Sequence, residues 1–207
     1  MNKIIGTFLG SLLLMLSLPS GAATLSVNPV SQTVNAGSSF NVDLVVSGLG
    51  DGTAPSLAAY DLYFNYDPTL LSFNNASYGD PILGDQLDIA LLGSFTITTP
   101  EADRVQLFQL SFDTIDDLNN LQADTFTLAT LSFKALVAGN SPFSLTLNSA
   151  SDASGDGLAL DTQGGNVEVL AAVPLPSAWL LFATGTLFLR QFKRKGGLRR
   201  EGYIALS

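Results

Sequence analysis

The sequence contains neither histidine nor cysteine. Without histidine there is no Ser-His-Asp or Cys-His nucleophile and no histidine-ligated zinc site; without cysteine there is no disulfide scaffold. Bases are almost as scarce in the middle of the chain. Residues 24–170 hold only Arg104 and Lys134 against seventeen of the eighteen acidic residues, a net of fifteen negative charges. Such a surface repels phosphate backbones and anionic lipid, which argues against nucleic acid as a partner, and it repels acidic polysaccharide unless cations bridge the two. Stability must then come from a core, and a stretch of this length suffices for one domain burying about two-thirds of its unfolded surface.

The ends differ from this acidic body. Lys3, the apolar run "IIGTFLGSLLLMLSL" and the small-residue stretch "PSGAA" form the charged, hydrophobic and cleavable regions of a secretory signal peptide. Residues 1–23 are therefore expected to be a leader cut after Ala22 or Ala23, and the body to be exported. At the other end, a linker at 171–176 carrying Val173, Pro174 and Pro176 precedes a short transmembrane helix expected at 177–189, which would tie the chain to the membrane. That helix is about 20 Å long at about 1.5 Å per residue, short for a bilayer core about 30 Å thick. Arg190, Lys193, Arg194 and Lys195 follow it directly, and a basic flank is held on the cytoplasmic side, so 190–207 reads as a basic cytoplasmic tail.

Within 24–170 the apolar period is two. In "SFNVDLVVS" the residues Phe40, Val42, Leu44 and Val46 alternate with polar neighbours, and in "AAYDLYFNYD" Ala58, Tyr60, Leu62, Phe64 and Tyr66 share a face; both patterns belong to half-buried strands. Further strands are expected in "TLSV", "SQTVN", "LLSFNNAS", "IALLGSFTIT", "RVQLFQLSF", "FTLATLSFKALV", "FSLTLN" and "GNVEVL", separated by Gly, Asn, Asp and Pro clusters. The fold class is all-β, a sandwich of about nine strands. "TIDDLNNLQ" has room for one helical turn.

Few residues suggest chemistry. Acidic pairs such as Asp61 with Asp67, or Asp116 with Asp117, are the one enzymatic route left, a carboxylate-dependent glycan hydrolysis, but an acidic chain always supplies such pairs, and no catalytic residue is assigned. In "DASGDGLALD" Asp152, Ser154 and Asp156 fall at alternate positions before Gly157, which mimics the first half of a calcium loop. The twelfth position is Gln163, not a bidentate glutamate, so an EF-hand is excluded. Asp152, Asp156 and Asp161 remain a candidate Ca2+ site, against the alternative of a Gly-rich loop whose aspartates cap their own backbone. Tyr63 shares the polar face with Asp61 and Asn65, where a ring could stack on a pyranose in a carbohydrate-binding protein.

The order of segments resembles the cohesin family: "NAGSSFNVDLVVSG", then "AYDLYFNYDPTLLSFNNAS", then "TFTLATLSFKALVAGNSPFSLTLNSASDASGDGLAL", then "GGNVEV". The most specific element is the strand ending at Tyr66, Asp67 and Pro68 with Leu71 following, supported by "LATLSFKA". The resemblance implies a jelly-roll sandwich related to carbohydrate-binding modules. It also implies a noncatalytic binding role, since the best-known cohesins hold dockerins, calcium-loaded helical partners, on one sheet face; no residue set in this sequence maps onto that face.

The tail "VPLPSAWLLFATGTLFLRQFKRK" resembles the PEP-CTERM sorting signal of Gram-negative bacteria. Pro174 and Pro176 match it, Leu175 stands where the eponymous glutamate would be, and twelve residues extend past the usual basic stop. The resemblance implies a membrane-embedded exosortase as processing enzyme, and delivery to the cell envelope or exopolysaccharide matrix. The combined expectation is an exported binding or structural module with a polysaccharide or a dockerin-like protein as partner.

Overall fold

A computed structural model describes residues 22–172 of the chain. The leader, the sorting motif at Val173, Pro174 and Pro176, the apolar helix at 177–189 and the basic cluster of Arg190, Lys193, Arg194 and Lys195 lie outside the described residues. Among the described residues no helix is long and apolar enough to cross a membrane.

The body is an all-β sandwich of eleven strands and one short helix. In chain order these are β1 (Ala23–Asn28), β2 (Ser31–Asn35), β3 (Ser39–Ser47), β4 (Ala59–Asn65), β5 (Leu71–Tyr78), β6 (Ser94–Pro100), β7 (Arg104–Ser111), α1 (Ile115–Leu121), β8 (Thr125–Ala135), β9 (Gly139–Ser151), β10 (Leu160–Gln163) and β11 (Gly165–Leu170). One sheet runs β10-β1-β3-β8-β5 and the other β2-β11-β9-β4-β7-β6. The first and last segments each divide between the sheets: β1 pairs in parallel with β10, and β2 in parallel with β11. At the second crossing stands Gly164, where an added Cβ would run into the Phe143 carbonyl oxygen, so the chain can change sheets there only without a side chain.

The alternation read from sequence is the alternation of burial. Phe40, Val42, Leu44 and Val46 on β3 and Tyr60, Leu62 and Phe64 on β4 all point into the core, with Leu25, Val27, Leu131, Phe133, Phe143 and Val167 from neighbouring strands. Phe133 on β8 is the hub, its ring 5.1 to 6.0 Å from those of Tyr66, Phe64, Phe73, Phe40 and Phe143. The "YDP..L" element is a turn: Asp67 Oδ1 accepts from the Thr69 amide at 2.8 Å and the Thr69 hydroxyl at 2.6 Å. The Asp67 carbonyl accepts from Leu71, so the turn delivers buried Leu71 to the start of β5. The Thr69 hydroxyl, then its amide, hold the Asp67 carboxyl below its ordinary pKa.

Three sequence expectations shift. The strand expected over "IALLGSFTIT" begins only at Ser94, because Asp88 and Gly93 build a turn before it: Asp88 Oδ1 accepts from the Gly93 amide at 2.7 Å, and Gly93 takes a φ of 99°. β9 starts at Gly139, inside what reads as a turn, and runs 13 residues. β10 has no counterpart in the sequence reading, since its four residues present one buried apolar side chain, Leu160.

Candidate functional site

The carboxylates singled out from sequence are held in local structural roles. Asp61 accepts from Gln106 Nε2 at 2.8 Å across β4 and β7, and Asp67 closes its turn. Asp117 takes part in the N-cap of α1, its amide donating to Thr114 Oγ1 at 3.1 Å while the Thr114 hydroxyl donates to its carboxylate at 2.7 Å; Asp116 lies beside it in the first turn, where negative charge favours the helix N-terminus.

Asp152 begins the loop after β9, and its Oδ1 accepts from the amides of Ser154 and Asp156, each at 2.9 Å. The Asp152 amide in turn donates to the Asp156 carbonyl at 2.9 Å, and Gly155 takes a φ of 85° at the tip. Asp161 lies on β10, opposite Thr24 of β1. Among the described residues no group of three or more carboxylates is gathered to hold a metal ion. The two roles open to Asp152 make opposite predictions. As a backbone cap, Asp152→Ala should cost about 1 kcal/mol and Asp152→Asn, which keeps an acceptor oxygen, a few tenths. As a calcium ligand, Asp152→Asn should abolish a calcium-induced rise in Tm. Thermal unfolding of the three proteins with calcium and with EDTA reads both.

Tyr63 lies half-buried on the outward side of β4, opposite Gln106 of β7 and Thr146 of β9. The Arg104 guanidinium sits 4.1 Å from its ring centroid and is paired through Nε with Glu101 at 2.6 Å. The hydrogen bond to the Glu101 carboxylate leads in raising the Arg104 pKa above its ordinary value. One ring face of Tyr63 is thus occupied by a cation. Asn65, its neighbour on the same side, donates to the Ser144 carbonyl and to Thr146 Oγ1, each at 3.1 Å.

The outward side of the same sheet carries an apolar margin that the sequence reading did not identify. On β6 Phe95 is 49 % and Ile97 42 % exposed, and on β7 Leu110 is 38 % exposed beside half-buried Phe108. Register places Phe95 opposite Leu110 and Ile97 opposite Phe108, and the Phe95 and Phe108 rings meet edge to face at 6.2 Å. Phe112, exposed just past β7, lies in the same phase. The signal was available in "RVQLFQLSF". Val105 and Leu107 alternate inward, but Phe108, Leu110 and Phe112 then occupy the opposite phase, so the strand is apolar on both sides.

The phase change puts Gln109 inward, and its polarity is fully met. Gln109 Nε2 donates to Asp85 Oδ2 at 2.7 Å and Ser94 Oγ at 3.2 Å, while its Oε1 accepts from the Tyr60 hydroxyl at 3.2 Å. Burial drives the Tyr60 pKa well above its ordinary value, so the hydroxyl stays a donor. This network ties the loop before β6 to the core beneath the margin. Asp80 helps fix the same loop: burial works to raise its pKa, but bonds from the amides of Leu83, Thr127 and Ile82 hold it below the ordinary value.

Neither a family profile nor a curated protein matches the sequence. Solved structures do match the fold. The sixth cohesin of scaffoldin B from Acetivibrio cellulolyticus, solved with a Cel5 dockerin, is 16% identical with a TM-score of 0.56, over 72% of this chain and 99% of that one. A cohesin from Clostridium thermocellum, in a type I cohesin–dockerin complex, is 13% identical with a TM-score of 0.56, over 72% and 99%. The non-cellulosomal cohesin of the archaeon Archaeoglobus fulgidus is 12% identical with a TM-score of 0.53, over 72% and 91%. At identities this low the likeness is one of architecture, and that architecture is the cohesin-like jelly-roll sandwich.

Proposed function

We propose that the body is a noncatalytic protein-binding module whose outer β4-β7-β6 face docks a helical, dockerin-type partner. The apolar margin of Phe95, Ile97, Phe108 and Leu110 is the observation that carries this reading. Side chains of this size exposed together on a strongly acidic domain mark an interaction surface, and aromatic anchors flanked by an arginine make the kind of centre that dominates binding energy. The flat, ridged surface of a sheet suits an apolar helix face. Support from the neighbours is that two of them were solved holding dockerins.

Delivery belongs to the same proposal. A leader cut after Ala22 or Ala23, an acidic body, a proline-led apolar segment and a terminal basic cluster fit export followed by exosortase-type sorting to the envelope or matrix. Intact-mass analysis of a producing cell should find a mature form that begins near Thr24 and lacks Arg190, Lys193 and Lys195; a mature chain that keeps them would leave a plain membrane anchor.

Binding of a panel of recombinant calcium-loaded dockerin modules, measured by calorimetry, tests the docking face. Phe108→Asp should weaken whichever dockerin binds by about 30-fold or more, the scale of a buried anchor. Tyr63→Ala should also weaken it, by freeing Arg104 from its ring. A dockerin that binds the Phe108→Asp variant as well as the native protein would place the interface elsewhere.

A further inference from the structure

The two sheets expose four edges, and three of them are blunted. β10 has four residues and β2 five, and β5 is broken by a register shift between Phe73 and Asn75; shortness and bulges are the usual protections against edge-to-edge pairing. β6 has neither. It pairs with β7 over seven residues without a shift, carries no charged side chain from Ser94 to Pro100, and is rich in β-branched residues.

Its hydrogen-bonding phase can be read from the two ends of the β6–β7 ladder. The Phe112 amide donates to the Gly93 carbonyl at 3.1 Å and the Glu101 amide to the Arg104 carbonyl at 2.8 Å. Both pairs continue the register of the strands between them. Hydrogen-bonded pairs alternate in an antiparallel ladder, so the odd positions of β6 bond to β7. Thr96 and Thr98 therefore present N–H and C=O to the open edge. Pro100 stands in the same outward phase, where its missing N–H costs the ladder nothing. From within, the Tyr78 hydroxyl meets the Ile97 carbonyl at 2.7 Å and Thr98 Oγ1 at 2.8 Å, which holds β6 in place without covering its edge. Among the described residues nothing pairs with that edge.

We infer that β6 is a self-association edge, and that its occupant is β6 of a second copy of this chain, antiparallel about a two-fold axis midway between the two Ile97 residues. The strand is its own complement. In this register Thr96 of each copy exchanges both backbone bonds with Thr98 of the other, the uncharged strands overlap along their whole length, and Pro100 ends the pairing on either side. Threonine pairs face one side and the two Ile97 side chains meet on the other, both favourable cross-strand neighbours. The contact is isologous and closes at two copies, leaving no free β6 edge to extend it. The fifteen net negative charges of each body oppose the approach, so association should strengthen as salt screens them.

Sedimentation equilibrium of the full chain in detergent, at low and at high sodium chloride, is the test. Native protein should show a monomer–dimer equilibrium that shifts toward dimer with salt. Thr96→Pro removes an edge donor but leaves Phe95, Ile97, Phe108 and the Tyr78 contact untouched; it should weaken dimerisation about ten-fold or more, with an unchanged Tm at concentrations where the native chain is monomeric. In a chain without cysteine, Ile97→Cys should oxidise to a disulfide dimer, since residues facing each other at a non-hydrogen-bonded antiparallel position lie about 4.5 Å apart at Cα. Thr33→Cys on the opposite edge should not. A chain that stays monomeric at every salt concentration, a Thr96→Pro variant that dimerises as strongly as the native chain, or an Ile97→Cys variant that does not cross-link would each overturn the inference. Dockerin binding by Thr96→Pro reports separately on the docking face.

Discussion

Replacing Phe133 with alanine should cost about 3–5 kcal/mol, a large part of the roughly 5–15 kcal/mol that holds a domain folded. Phe133 is 0 % exposed and stands between β3 and β5 in one sheet, opposite Phe40 and Phe73. Across the sandwich its ring also meets Phe64, Tyr66 and Phe143. Four of those rings lie on four different strands, β3, β4, β5 and β9, and Tyr66 lies just past the end of β4, so backbone ladders prevent them from collapsing into the space a truncated side chain leaves. The loss therefore includes the unfilled cavity as well as the transfer of the ring from water. Urea unfolding should show a lower midpoint with an unchanged slope. Phe112→Ala, at a ring 55 % exposed, should stay within about 0.5 kcal/mol of the native protein. A loss below about 1 kcal/mol at Phe133 would mean that the five rings repack around the gap.

What the sequence revealed is what local periodicity encodes. Strands with one wet and one dry side, such as β3 and β4, announce themselves because each residue's face follows from its neighbours two positions away. The strand end at Tyr66, Asp67 and Pro68 was legible for a similar reason, since the bonds from Thr69 and Leu71 that close its turn lie within four residues. β10 was not, because a four-residue strand with one apolar side chain exists only by pairing with β1, more than a hundred residues earlier in the chain. The docking margin was half legible: the change of phase between Leu107 and Phe108 is visible in the sequence. Which side faces water depends on the position of β7 between β4 and β6, and on a buried Gln109 satisfied from β4 and from the loop before β6. Asp152 shows the reverse case. Its spacing suited a metal and equally suited a turn, and the amides of Ser154 and Asp156 bond to it.

The largest effect of a single polar side chain should come from Gln122, whose sequence context gives no hint of its role. It caps α1, its own amide donating to the Leu118 carbonyl at 3.2 Å, and its side chain is 1 % exposed. There Oε1 accepts from the Leu57 amide at 2.6 Å, and Nε2 donates to the carbonyls of Leu57 and Gln86, each at 2.9 Å. Gln86 answers by accepting from the Ala123 amide at 3.1 Å. One amide group thus joins the segment before β4, the loop before β6 and the end of α1. Gln122→Leu keeps the volume but strands three buried backbone groups, at about 1–3 kcal/mol each, so about 3 kcal/mol or more should be lost. Gln122→Glu should fare no better, because its carboxylate would face two carbonyl oxygens. The damage should be concentrated where the bonds were: amide exchange at Leu57 and Ala123 should accelerate more than exchange along β3 and β8, which the substitution does not touch. Because the loop through Gln86 leads into β6, a loosened Gln122 variant should also bind its partner more weakly than the exposed apolar margin alone would predict. Equal protection of Leu57 in the native and Gln122→Leu proteins would show that this end of the sandwich is held by its apolar contacts and not by the amide.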